Sequence, residues 1–173
     1  MIAPPSYPVF DLEMTQLDGR PVFDVLSEVA AVRDGMQSVD TFGHHWRPDA
    51  HLVGLCGEWV YGCLSDQLDH LNLDREIIGL AATDFPGVDV KSSGRGDWLL
   101  ANVGNHLKAP LYFALKVDVE RRLVRPLGYA TRQMMRDGPG RDWSTGHRDG
   151  LRTIDLISAD VLLARLLARG VVP

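Results

Sequence analysis

The stretch Asp84-Phe85-Pro86-Gly87-Val88-Asp89-Val90-Lys91-Ser92-Ser93 decides how this 173-residue chain is read. Alternating β-branched residues after a Pro-Gly pair predict a strand over Val88–Ser92. Successive strand side chains point to opposite faces, so Val88 and Val90 are set towards a core while Asp89 and Lys91 share the other face. Pro86 and Gly87 suit the two central positions of a type II turn, with Gly at the site of positive φ. Such a turn folds Asp84 back towards Asp89 and Lys91. Two carboxylates and an ammonium gathered at a strand end are what a hard divalent cation and a phosphate ester require. The plain alternative is a surface hairpin carrying an exposed salt bridge.

Upstream of this stretch lies the best-marked helix, Ala50–Leu68, with Asp49 as its N-cap. Leu52, Leu55, Cys56, Trp59, Val60 and Cys63 form its apolar stripe, and Glu58 falls beside that stripe in a column with His51, Gly62 and Ser65. A glycine inside a helix costs about 1 kcal/mol relative to alanine. Gly54, Gly57 and Gly62 therefore point to a packing or functional demand, and Gly54 and Gly62 leave room for another backbone beside Glu58. Cys56 and Cys63 would stand roughly 10 Å apart along the helix axis, too far to pair with each other, and are expected as free thiols.

Further out, periodicity predicts a short strand within Tyr7–Met14, a helix over Val22–Gln37 and a loop over Ser38–Pro48. The apolar face of the Val22–Gln37 helix is Val22, Val25, Leu26, Val29, Val32 and Met36. Strands are expected over Ile77–Thr83, Trp98–Val103 and Leu111–Val119, the last with Tyr112, Lys116 and Asp118 outward. A further strand over Leu123–Met134 is made irregular or peripheral by Pro126. A polar, Gly-rich loop over Asp137–Asp149 leads to a strand over Leu151–Ile157, and Ser158 caps a helix over Ala159–Arg169. The whole reads as one mixed α/β domain on a largely antiparallel sheet.

The formal net charge is −5, but it is unevenly spread: residues 1–83 carry 4 Lys/Arg against 13 Asp/Glu, and residues 84–136 carry 9 against 5. The basic excess starts at the Asp84–Ser93 stretch and includes Arg95 and Lys108, so that half could take a polyanion despite the acidic total. No apolar run approaches the ~20 residues needed to cross a bilayer, and MIAPPSYPVF lacks a basic region followed by an apolar one. An intracellular protein with no membrane partner is the expectation. A homodimer is allowed by the composition and not demanded by it.

Taken together, Gly54-Leu55-Cys56-Gly57-Glu58-Trp59, Asp84-x-x-Gly87-Val88-Asp89-Val90-Lys91 and the Ser92-Ser93 tail resemble the PD-(D/E)XK nuclease superfamily, in particular its small stand-alone members from phages and mobile elements. The likeness covers roughly Asp49 to Tyr129. It implies an α/β, restriction-endonuclease-like fold, a mixed β-sheet flanked by helices, with a core at about residues 49–131 of a single domain. By position it implies Asp84 as the first metal-binding aspartate, Asp89 as the second acidic residue, Lys91 as the catalytic lysine and Glu58 as the helix carboxylate. The implied cofactor is Mg²⁺ or Mn²⁺, held by Glu58, Asp84, Asp89 and the carbonyl of Val90. The implied reaction is phosphodiester hydrolysis, probing DNA through contacts that include Ser92, Ser93, Arg95 and Lys108. A non-catalytic nucleic-acid-binding or scaffold protein of the same fold is the alternative. A zinc site on His44, His45, His51, Cys56 and Cys63 has no standard ligand spacing, and Cys56 and His51 diverge on their helix.

Overall fold

The computed structural model describes residues 9–36, 49–73, 83–100, 107–143 and 146–160. The predicted loop over Ser38–Pro48, all but Thr83 of the strand over Ile77–Thr83, the outer part of Trp98–Val103 and most of the last helix fall outside these residues.

The chain enters through three two-residue strands, β1 (Phe10–Asp11), β2 (Gln16–Leu17) and β3 (Arg20–Pro21), and runs directly into helix α1 (Val22–Met36). The α1 range matches the apolar periodicity, but the buried face is Val22, Leu26, Val29 and Ala30, and Met36 is 57% exposed. Helix α2 (Ala50–Ser65) ends earlier than its apolar pattern suggested, because Asp66 turns left-handed (φ 54°) and donates its N–H to the Gly62 carbonyl. Asp49 precedes it without a side-chain capping bond. The buried set on α2 includes Val53, Leu55, Cys56, Gly57, Trp59, Val60, Tyr61 and Gly62, so the helix is covered round most of its circumference rather than along one stripe. Cys56 is buried and Cys63 half-buried, and both are free thiols, as their spacing predicts.

Next come strands β4 (Val88–Ser93), β5 (Trp98–Leu100), β6 (Leu111–Asp118) and β7 (Leu123–Thr131), then helix α3 (Arg132–Asp137), and finally β8 (Arg141–Trp143), β9 (Gly146–Arg148) and β10 (Gly150–Arg152). Four of these strands form a mixed sheet in the order β1-β7-β6-β4. The expected antiparallel hairpin is present as β6–β7. The motif strand departs from expectation: β4 runs parallel to β6, with Asp89 opposite Tyr112 and Lys91 opposite Ala114. β5 does not fold back onto β4; it pairs instead with β10, and this frees one side of β4 for β6. Pro126 sits at a register break, pairing with Leu115 while Gly128 pairs with Ala114, which leaves Leu127 as the extra residue of a bulge. The predicted strand to Met134 stops at Thr131, whose Oγ1 accepts from the Met134 N–H and starts α3.

The sheet is packed on both faces. On one, Val88, Val90, Phe113, Leu115 and Val117 meet α1 and α2 in the main core. On the other, Tyr112, Ala114 and Ala130 are covered by Leu99, Met135 and Leu151. This second layer corrects the outward placement expected for Tyr112, which is only 1% exposed. Alternation along β6 distinguishes one face from the other, but a face turned away from the main core can still be roofed by a second layer.

Candidate active site

The site is assembled at the edge of β4 that faces away from β6, starting from a local turn. Phe85 and Val88 exchange two backbone hydrogen bonds of 3.0 Å across Pro86-Gly87, and Gly87 takes φ 75°, the conformation a side chain would strain. Phe85 is buried, with its ring 4.8 Å from Tyr61 of α2, and Tyr61 in turn meets Phe113 of β6 edge-on at 5.0 Å. The turn is thus pinned to the core by aromatic contacts. It delivers Asp84 to the edge of β4, where its Oδ2 accepts the Val90 N–H at 2.7 Å. The N–H and C=O of one strand residue leave the same edge, so the Val90 carbonyl shares this edge with Asp84.

Asp89 and Lys91 project from β4 onto the face that also carries Tyr112. Lys91 Nζ donates to Asp89 Oδ1 at 2.8 Å, and the two side chains are only 23% and 20% exposed. Glu58 comes from α2. Its Oε1 would lie 3.8 Å from a Cβ at Gly54, so Gly54 gives room to the glutamate's own side chain rather than to another backbone. The glycine at which the helix meets the strand is Gly57: a Cβ there would fall 1.8 Å from Ser92 Oγ and 3.0 Å from Ser92 Cβ. Gly62 packs instead on Leu68.

Electrostatics ties these groups together. Burial raises the Asp84 carboxyl to about 8, with further upward pressure from Glu58 and Asp89 and partial relief from Lys91. Glu58 is also raised, first by burial and then by Asp89, against the cations Arg33 and Lys91. Glu58, Asp84, Asp89 and Lys91 therefore lie within one another's electrostatic reach round the β4 edge. Tyr112 joins them: burial raises its phenol, the Ala109 N–H it accepts works the other way, and Asp89 and Lys91 act on it with opposite signs.

The other named residues are placed less uniformly. Ser92 departs from the expected nucleic-acid contact: its Oγ is buried against α2 and has no hydrogen-bond partner among the described residues. Ser93 Oγ accepts from the N–H groups of Arg95 and Gly96 and shapes the turn after β4. Arg95 and Lys108 are exposed, and the Lys108 and Ala109 carbonyls are gripped by Arg132. His51 places Nδ1 2.5 Å from Asp34 Oδ1.

Arg33 was not picked out from the sequence. It stands near the end of α1, 25 positions before Glu58, donates to the Asn72 carbonyl at 2.7 Å and lowers the Glu58 carboxyl. Its one sequence signal is a cation following the buried Leu26 and Val29 face.

Among the described residues no group of three or more His, Cys, Asp or Glu side chains is arranged to hold a metal ion. In kind, the donors still suit a hard cation: carboxylates and a strand carbonyl, few enough to leave coordination positions for water. Their mutual repulsion, expressed in the raised Asp84, is also what a cation would relieve. Among the described residues, no helix is long and apolar enough to cross a membrane. Comparison with protein-family models, with curated proteins and with solved structures finds no match to this chain.

Proposed function

We propose that this protein is a metal-dependent nuclease of restriction-endonuclease-like fold that hydrolyses phosphodiester bonds, with DNA as the expected substrate. The observation that carries this reading is the return of Asp84 onto the Val90 N–H at the edge of β4, within electrostatic reach of Glu58, Asp89 and Lys91. Asp84, Asp89 and the Val90 carbonyl would hold Mg²⁺ or Mn²⁺, with Glu58 completing the site. The cation would supply Lewis-acid stabilisation of the scissile phosphate and an acidified water.

The chain's own groups have separate tasks. The Val90 N–H orients the Asp84 carboxylate, and the buried turn behind it fixes that orientation. Lys91 provides a positive donor at the same face as Asp89, able to stabilise charge growing on a phosphate oxygen. Tyr112, the buried cross-strand neighbour of Asp89, provides an apolar support beside the Asp89–Lys91 pair.

A second reading, a nucleic-acid-binding protein without catalysis, is favoured by one observation: Lys91 already neutralises Asp89, as an internal cation would. The deciding assay is cleavage of linear, nicked, branched and single-stranded DNA with Mg²⁺, Mn²⁺, Ca²⁺ or chelator. Cleavage should require Mg²⁺ or Mn²⁺ and be suppressed by Ca²⁺, whose looser shell positions water poorly. Full activity in chelator ends the metal proposal, and binding without cleavage under every metal favours the second reading.

A further inference from the structure

β5 and β10 form a two-stranded ribbon in which Trp98 pairs with Arg152. Leu99 and Leu151 point inward onto Tyr112 and Ala114, the sheet face shared by Asp89 and Lys91. Strand alternation then turns Trp98 to the ribbon's outer side. There the ring holds two guanidiniums: Arg141 lies 5.8 Å and Arg152 5.9 Å from its centroid, both within cation–π range, and both arginines are exposed. The platform is braced from behind, since Thr153 donates from N to the Asp97 carbonyl at 3.1 Å and from Oγ1 to the Gly96 carbonyl at 2.9 Å.

We propose that Trp98, Arg141 and Arg152 form a phosphate-anchoring surface for the backbone of a DNA duplex, one layer out from the Asp89–Lys91 face. This rests on the nuclease reading only for the choice of nucleic acid as the partner. An aromatic face restricts the guanidinium before binding, so less side-chain freedom is lost when a phosphate is gripped. Arginine forks suit phosphate oxygens geometrically. Exposed Asp97 and Asp142 lie close in sequence to the trio, which keeps the local net charge small. The surface therefore fits discrete phosphates held by arginine forks, and not a diffuse cloud of anionic charge.

The test is fluorescence anisotropy of a fluorescein-labelled DNA duplex with the full-length protein in chelator, over a range of salt concentrations. Wild type should bind, and Arg141→Ala/Arg152→Ala should weaken binding several-fold. Its salt slope should fall by about 1.8, the loss expected for two phosphate contacts. Arg141→Lys/Arg152→Lys should keep most of the slope and lose part of the affinity. Trp98→Leu should weaken binding while keeping both charges. Thermal melts confirm that the variants are folded. Unchanged affinity and slope in the double alanine variant, or no duplex binding by wild type, overturns the surface. Arginine-dependent binding without metal-dependent cleavage would overturn the nuclease reading and leave the surface standing; cleavage with arginine-independent binding would do the reverse.

Discussion

Gly57→Ala probes the contact that sets α2 against β4. The new Cβ would fall 1.8 Å from Ser92 Oγ and 3.0 Å from Ser92 Cβ, with Leu115 Cδ1 at 3.5 Å. Rotating the serine hydroxyl removes the first clash but not the second, so helix and strand must separate by a few tenths of an ångström or more. Overpacking of this kind costs about 1–3 kcal/mol, and the better helix propensity of alanine offsets about 1 kcal/mol of it. For a chain of this size the net loss corresponds to a fall in Tm of up to roughly 8 °C. Ser92→Ala should be neutral or stabilising, because it removes a buried hydroxyl that has no partner among the described residues. In the double variant the Oγ contact is gone and the helix gain remains, but the Cβ at position 92 still stands at 3.0 Å, so stability should recover in part. The assay is a double-mutant cycle by chemical denaturation, with an expected coupling of about 0.5–3 kcal/mol. If the two substitutions prove additive, with no coupling between them, the close approach is not what fixes this interface. Glu58 follows Gly57 and Lys91 precedes Ser92, so cleavage should fall in the single variant and recover in part in the double.

Lys91→Ala should reduce cleavage by roughly 10²–10³-fold with the fold intact, measured by initial rates and circular dichroism; a melted variant would mark Lys91 as structural. Glu58→Gln should weaken metal binding, measured by calorimetry, while leaving the metal-free protein as stable or more so, because one of three repelling carboxylates is neutralised; unchanged metal affinity removes Glu58 from the site. Asp84 gives a pH signature. Its folded value, about 8, lies above its ordinary value of 3.8, so between them the folded protein binds the extra proton. Stability should therefore decline as pH rises from about 4 to about 8, and this part of the decline should vanish in Asp84→Asn, read as Tm against pH. Parallel profiles for the two proteins refute the raised carboxyl.

What the sequence disclosed follows from how local each feature is. The Phe85–Val88 turn and the return of Asp84 towards the motif strand are closed within a few residues, so Pro86, Gly87 and alternation suffice to read them, although the bond to the Val90 N–H itself was not among the expectations. The α1 range and the β6–β7 hairpin were legible for the same reason. The parallel pairing of β4 with β6 was not, because it depends on β5 choosing β10, a partner some 50 residues away. Tyr112 shows a different limit. Its alternation correctly turns it from the main core, yet only the tertiary structure supplies Leu99 and Leu151 to bury it. Arg33 and the Gly57–Ser92 contact were hidden likewise, since each joins segments whose approach no periodicity encodes.

The bond from Val90 to Asp84 has a consequence beyond chemistry. β4 is the last strand of its sheet among the described residues, and a bare strand edge is a template on which other chains can stack. Phe85 occupies the edge at Val88 with backbone groups, and the Asp84 carboxylate occupies the next donor with a side chain. A side chain already bonded to that donor makes the edge a poor docking place for a foreign strand. Removing Asp84 to silence the site would also reopen the edge, so such variants carry an aggregation hazard separate from any loss of activity.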